Sequence, residues 1–288
     1  MSQSTPIISF EFFPPKTAEG MAKLQAAQQQ LTRCQPKFFS VTFGAGGSTQ
    51  DRTLETVLDI QRSGSAAAPH LSCVGSSKEN IRQILNAYQS HGIRHIVALR
   101  GDLPSGMGEI GEFRYANELI EFIRAETGDW FNIEVAAYPE YHPQARSAQD
   151  DLQNFVRKVK AGANSAITQY FYNADAYWAF VDNVEKQGVT IPVVPGIMPI
   201  TNYTQLARFS DACGAEIPRW VRQKLQGFGD DNESIRQFGL EVVTNLCAKL
   251  LQAGAPGLHF YTLNQSGPTL DIWRDLSMLK IQHQEGKE

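Results

Sequence analysis

The sequence predicts an α/β protein built as one closed (β/α)8 barrel, and three observations carry that prediction. Short β-branched or aromatic runs alternate with amphipathic helical stretches along nearly all of the 288 residues. Eight such runs occur, the number of staves in a parallel barrel. No linker, composition break, fixed-period repeat or low-complexity stretch interrupts them, so 1–288 is expected to form a single domain. A doubly wound open sheet is the alternative architecture.

Taken in order, strands are expected at Ile7–Phe12, Phe38–Phe43, His70–Val74, His95–Leu99, Ile133–Tyr138, Ala166–Phe171, Val193–Met198 and Leu258–Leu263. Helical periodicity fills the gaps at Thr49–Ser63, Lys78–His91, Tyr115–Glu126, Ala148–Ala161 and Asp175–Gln187. Several helix ends are marked by glycine, in Ser90-His91-Gly92, Lys160-Ala161-Gly162 and Gln187-Gly188, because glycine accepts the left-handed turn that closes a helix. Between the seventh and eighth strands, Tyr203–Cys213 and Ile217–Gln252 are extra helical chain, expected to decorate the barrel.

Composition narrows the function. The net charge is −4 and no run of Lys or Arg forms a stripe for a phosphate backbone, so no nucleic-acid partner is expected. The longest apolar stretch, Ile191 to Ile200, is too short to span a bilayer and is broken by Pro192, Pro195 and Pro199. The first residues lack a basic segment followed by an apolar one, which points to a cytoplasmic protein. Cys34, Cys73, Cys213 and Cys247 are far apart and read as reduced thiols. No clustered His, Cys or carboxylate set suggests a metal. Gly44-Ala45-Gly46-Gly47-Ser48-Thr49 lacks the third glycine of a dinucleotide fingerprint. His91 and His95 are separated by a helix end and are read as structural.

In a barrel, chemistry collects at the C-terminal strand ends, and the unusual polar residues of this chain fall there. Glu11 ends the first strand, Thr42 the second, and His70 opens the third after Pro69. The fourth runs into Arg100-Gly101-Asp102, the fifth into Tyr138-Pro139-Glu140-Tyr141-His142, the sixth carries Gln169, and the eighth leads to Tyr261-Thr262-Leu263-Asn264. This repetition makes an enzyme the leading class. Apolar flanks around Glu11 are expected to raise its pKa, which suits a proton donor; the bland alternative is a solvent-facing Glu on an edge strand. Arg100 and Asp102 either pair within a turn or stand as fixed charges at the barrel mouth, with Gly101 admitting a ligand close to the backbone. Asp151, Asn154, Arg157 and Lys158 share a helical face, either a solvated one or one that meets a diphosphate and ribose.

From Ile8 to Gln265 the chain resembles the methylenetetrahydrofolate reductase family. The resemblance is carried by Ser9-Phe10-Glu11-Phe12-Phe13-Pro14-Pro15, Ser40-Val41-Thr42-Phe43-Gly44-Ala45-Gly46-Gly47-Ser48, Ala68-Pro69-His70-Leu71, and Ile96-Val97-Ala98-Leu99-Arg100-Gly101-Asp102. It continues through Ala136-Ala137-Tyr138-Pro139-Glu140-Tyr141-His142-Pro143, Gly162 to Gln169, Pro195-Gly196-Ile197-Met198-Pro199 and His259-Phe260-Tyr261-Thr262-Leu263-Asn264. The resemblance implies one non-covalent FAD, reduced by NADH or NADPH, and ping-pong reduction of 5,10-methylenetetrahydrofolate to 5-methyltetrahydrofolate in one-carbon metabolism and methionine biosynthesis. The same site run in the oxidative direction, or a non-catalytic folate-binding subunit, are the alternatives.

Glu11 matches the family's general acid, and Asp102 a carboxylate near flavin and pterin. FAD contacts carry over to Thr42, Ala45, His70, Arg100, Gly101, Asp102, Ala116, Tyr138, His142, Ala145, Asp151, Asn154, Arg157 and Lys158. Contacts to folate or nicotinamide carry over to Glu11, Thr42, Phe43, Asp102, Gln169, Gln205, Phe209 and Gln265. Gln265 departs from the family's usual arginine, so the folate-binding cation is altered there. Relatives also imply a homo-oligomer.

Overall fold

The computed structural model describes residues 6–44, 49–101 and 111–285. Its strands are β1 (Ile7–Phe12), β2 (Phe38–Val41), β3 (Ala67–Ser72), β4 (His95–Leu99), β5 (Asn132–Ala137), β6 (Ser165–Thr168), β7 (Val193–Val194), β8 (Gly196–Ile197) and β9 (Gly257–Tyr261). All pairings are parallel, in the order β7-β6-β5-β4-β3-β2-β1-β9-β8. The two ends of that order are two halves of one stave. β7 pairs with β6 through Ala166 and Val193, whereas β8 pairs with β9 through Ile197 and Phe260. Pro195 divides the halves; it has no N–H to give to a ladder. The sheet therefore closes nearly on itself as the expected (β/α)8 barrel, and the open-sheet alternative is excluded.

Ten helices surround the described sheet: α1 (Ala18–Leu31), α2 (Gln50–Arg62), α3 (Lys78–Ser90), α4 (Ala116–Thr127), α5 (Ala148–Lys160), α6 (Ala174–Glu185), α7 (Tyr203–Cys213), α8 (Arg219–Gly227), α9 (Asn232–Gln252) and α10 (Gly267–Glu285). Side chains satisfy several of the free N–H groups at their starts. Ser77 accepts from Asn80 N–H, Ser147 from Asp150 N–H and Asn202 from Gln205 N–H. The extra chain before the last strand forms α7, α8 and α9. One expectation shifts: the third strand begins at Ala67 and carries Pro69 within it, so His70 lies inside β3 rather than at its start.

Strand alternation divides the side chains. Phe10, Phe12, Phe39, Val41, Leu71, Ile96, Ala98, Ile133, Val135, Ala166 and Phe260 belong to the large core shared with the helices. Phe10 sits 5.6 Å from Phe39 and 5.9 Å from Phe260, ring centroid to ring centroid. Phe38, Ala68, Val97 and Ile167 form a separate small cluster with Leu99 and Tyr261, on the opposite faces of the strands. Other interior positions are polar and buried, among them Ser9, Ser40, His70, Ser72, Glu134, Ser165 and His259. A buried carboxylate needs partners, and Glu134 has two, accepting from Ser165 Oγ and from Asn132 Nδ2 (3.1 Å).

Candidate functional site

Glu11 stands near the C-terminal end of β1, beside Ser40 of β2 and Tyr261 of β9 in register. Its side chain keeps 19% exposure, and its Oε2 lies 3.2 Å from His70 Nε2 and 3.7 Å from His259 Nε2. His259 is fully buried, with Nδ1 2.8 Å from Ser9 Oγ. His70 Nε2, His259 Nε2 and Ser40 Oγ are buried without an aligned hydrogen-bond partner, so both imidazoles approach the carboxylate without a well-aligned hydrogen bond to it.

Burial, the largest single influence, works to raise the pKa of Glu11, but His70 and His259 together outweigh it and hold the group at about 2. This corrects the expectation of a raised value. Phe10 and Phe12 neighbour Glu11 in sequence, but alternation turns them into the outer core, away from its carboxylate. What surrounds the group instead comes from β3 and β9.

The backbone around Glu11 is clamped by the exit of β9. Thr262 Oγ1 donates to Glu11 O at 2.6 Å. Asn264 accepts from Phe13 N–H and donates to Phe13 O, both at 2.9 Å. Leu263 and Asn264 are both left-handed, at φ 50° and 59°, a conformation that costs roughly 1–2 kcal/mol per non-glycine residue. The paired bonds from Asn264 hold that turn in place.

The remaining candidates are distributed around the same rim. Thr42 N–H donates to Phe12 O (2.9 Å), and half-buried Phe43 follows it. Ala45 and Asp102 lie outside the described residues. Arg100 reaches Gln144 Oε1 and Gly101 O. Gly101 adopts φ +86°, and a Cβ there would sit 1.8 Å from Ser72 Oγ, so both turn and packing require glycine. Ala116 begins α4. Tyr138 and His142 meet edge to face at 4.6 Å, and Ala145 N–H donates to His142 O. Asp151 accepts from His142 N–H at 2.9 Å, pinning that turn to α5.

Two residues of the α5 set part company. Arg157 is exposed and donates to Asn154 Oδ1, as a solvated face would show. Lys158 turns inward, and its Nζ donates to Ala136 O on β5. Burial pulls its pKa down to about 8, against the opposing pull of Asp151. An open groove between α4 and α5 is lined by Asn117, Glu121, Arg124, Arg157, Lys160 and Ala161.

Gln169 follows β6, with its N–H on Ala137 O and its Oε1 on Tyr170 N–H. It borders a recess shared with Tyr138, Glu140, Tyr170 and Cys213. Burial raises the pKa of Glu140, whose carboxylate accepts from Glu216 N–H at 2.8 Å. Gln205 lies in the first turn of α7, and Phe209 packs half-buried against the core under Arg208. Gln265 is exposed, with its N–H on Thr262 O.

Sequence reasoning assigned no role to Ser9, His259, Thr262 or Asn264. The available signal was period two: His259 shares an inward face with Tyr261, as Ser9 does with Glu11. Among the described residues no group of three or more His, Cys, Asp or Glu is placed to hold a metal, and no helix is long and apolar enough to cross a membrane.

Comparison with known proteins agrees with this fold. A family model described as methylenetetrahydrofolate reductase matches residues 1–277. The chain is 43% identical over 272 residues to 5,10-methylenetetrahydrofolate reductase of Escherichia coli (strain K12), covering 94% of this chain and 90% of that one. It is 38% identical to methylenetetrahydrofolate reductase (NADH) 1 of Zea mays, covering 94% of this chain and 48% of the maize protein. A solved structure described as an uncharacterized protein from Clostridium thermocellum that binds two copies of 5-methyl-5,6,7,8-tetrahydrofolic acid superposes with a TM-score of 0.65. At 14% identity over 97% of both chains, that match speaks for the fold alone.

Proposed function

The chain belongs to the methylenetetrahydrofolate reductase family, and from that premise we propose that it reduces 5,10-methylenetetrahydrofolate to 5-methyltetrahydrofolate, with NADH or NADPH as reductant and non-covalent FAD as carrier in a ping-pong cycle. The observation that carries the reading is Glu11, a carboxylate at the C-terminal mouth of a family-matched barrel with two imidazoles on one oxygen.

The donor set fits a flavin dinucleotide. Lys158 is an inward ammonium held by a single carbonyl, while Arg157 faces the open groove between α4 and α5. Asp151 and Asn154 supply acceptors on the same helix for ribose hydroxyls. The positive φ of Gly101 leaves backbone, without a Cβ, at the exit of β4. FAD, when bound, supplies a hydride acceptor for the nicotinamide and a hydride donor for the folate.

The chain's own residues then handle the proton. Ring opening of the folate needs a proton at N10. Glu11 is ionised in the free protein, so it takes up a proton from solvent as the pteridine covers the mouth and strips water from the carboxyl, which favours the neutral form. Its O–H bond breaks as the N10–H bond forms, the C–N10 electron pair moves to N10, and the methylene carbon is left as an N5 iminium that accepts hydride. His70 and His259 face the carboxylate that remains. Asp102, Gln169, Gln205, Phe209, Thr42 and Phe43 are the proposed contacts to pterin and nicotinamide.

The test is anaerobic. The purified protein should carry a flavin spectrum, NADH should bleach it, and methylenetetrahydrofolate should restore it. Colourless protein that takes up no added FAD would overturn the flavoenzyme reading. Glu11→Gln should keep bleaching and lose reoxidation by folate; survival of both half-reactions would remove Glu11 as the acid.

A further inference from the structure

Glu11 is held from below as well as from the side. His70 reaches it from β3, near the mouth. His259 reaches it from inside the barrel, with no exposure, and has Ser9 on its other nitrogen. Ser9 and Glu11 are neighbours on the inward face of β1, and in the β1–β9 register Ser9 lies opposite His259. Ser9, His259 and Glu11 thus form a short chain of side chains running from the interior to the mouth.

The chemistry of that chain disfavours one tautomer. If His259 carried its only proton on Nδ1, the lone pair of Nε2 would face an ionised carboxylate, which is repulsive. With Ser9 donating to Nδ1, or with both nitrogens protonated, an Nε2–H faces Glu11 Oε2 instead. Both favourable arrangements put a proton between His259 and Glu11.

We propose that His259, oriented by Ser9, is a positioning residue that fixes the Glu11 carboxyl and governs its protonation through the oxygen they share. The proposal rests on the reading of Glu11 as the acid and extends it to residues that do not touch substrate. The groups that face this assembly are His70 from β3, Ser40 from β2, Tyr261 and His259 from β9, and, deeper in the barrel, Glu134 from β5, which also feels Lys37. Tyr261 is committed elsewhere, since its hydroxyl donates to Thr168 O at 2.7 Å. Removing His259 leaves burial less opposed, so Glu11 should bind its proton at higher pH.

The experiment compares wild type, His259→Asn and Ser9→Ala as holoenzymes. Glutamate side-chain carboxyls are labelled with 13C, and Glu11→Gln assigns the Glu11 signal. Wild-type Glu11 should stay ionised to the lowest pH at which the fold persists, whereas His259→Asn should move its midpoint up by a unit or more. Ser9→Ala should move it the same way by less, and carries the test if His259→Asn does not fold. In rapid mixing, the folate half-reaction of either variant should fall roughly tenfold with a displaced pH profile, while nicotinamide bleaching changes less than about twofold.

Identical titrations and pH profiles in all three proteins would overturn the proposal. A displaced Glu11 midpoint in a protein that never turns over folate would instead overturn the functional reading and leave the coupling standing.

Discussion

Replacing Glu11 by glutamine tests the electrostatics of the site without any ligand. Glutamine copies the shape of a protonated glutamate, so the stability of Glu11→Gln against wild type reports the sign of the shift in the Glu11 pKa. The folded value of about 2 lies below the ordinary 4.5. A gap of about 2.5 units corresponds to about 3 kcal/mol at ~1.4 kcal/mol per unit, an upper bound for a group with some solvent access. Because the folded value is depressed, the stabilisation is present above pH 4.5 and is lost as pH falls toward 2. Urea unfolding at about pH 5.5, above the ordinary carboxylate value, should find Glu11→Gln less stable by up to about 3 kcal/mol. The deficit should shrink steadily below pH 4.5. Had burial won, the variant would be the more stable protein. A Glu11→Gln midpoint equal to or above wild type at pH 5.5 would therefore refute the account of the two imidazoles.

Three other changes separate the rest of the site. Lys158→Met removes an inward ammonium whose pKa is pulled down to about 8; it should raise stability below that pH by about 1–2 kcal/mol while flavin absorbance at fixed FAD falls, and thermal melts beside spectra check both. Gly101→Ala forces a side chain onto φ +86° and against Ser72 Oγ, which should cost about 2–4 kcal/mol in urea unfolding and loosen FAD. Gln265→Arg restores a guanidinium at an exposed position. Exposed ion pairs contribute roughly 0.2–1 kcal/mol, so the folate KM should fall by about 1.4- to fivefold with kcat unchanged, and an unchanged KM would show that the position does not meet the folate carboxylates.

The strands and helices were legible because their signals are local. β1 and β4 fall where alternation and β-branched content put them, and α7 matches Tyr203–Cys213 end to end. Boundaries slipped where a proline misled. Pro69 reads as the residue before a strand, yet it sits within β3, where only its missing N–H is lost from the ladder. Pro195 reads as lying within one strand, yet it divides a stave into β7 and β8. Within the site, the rim positions of Glu11 and Gln169 followed from strand-end logic, whereas His70, expected to open its strand, lies inside β3. The sign of the Glu11 shift did not, because it depends on His70 and His259, which reach Glu11 only once β3, β2, β1 and β9 lie side by side in the barrel. Lys158 and Arg157 show the same limit on a helix: adjacent in sequence, they part toward β5 and toward solvent.

Closure of the barrel and assembly of the acid are one event. β9 is the only described strand that brings His259, Thr262 and Asn264 to β1, and it lies between β1 and the split stave. The stave is weak by construction, since β7 and β8 are two residues each and Pro195 gives no N–H. Its hold on the barrel comes from fixed points on either side: Gly196 N–H on Thr168 Oγ1 at 2.8 Å, and His259 N–H on Pro195 O at 2.9 Å. Gly196 admits no side chain, because a Cβ there would lie 2.1 Å from Thr168 O. The same His259 whose ring faces Glu11 thus uses its backbone to close the seam. Mutations at Gly196 or Thr168 should therefore disturb the protonation of Glu11 before they unfold the barrel, through the placement of β9.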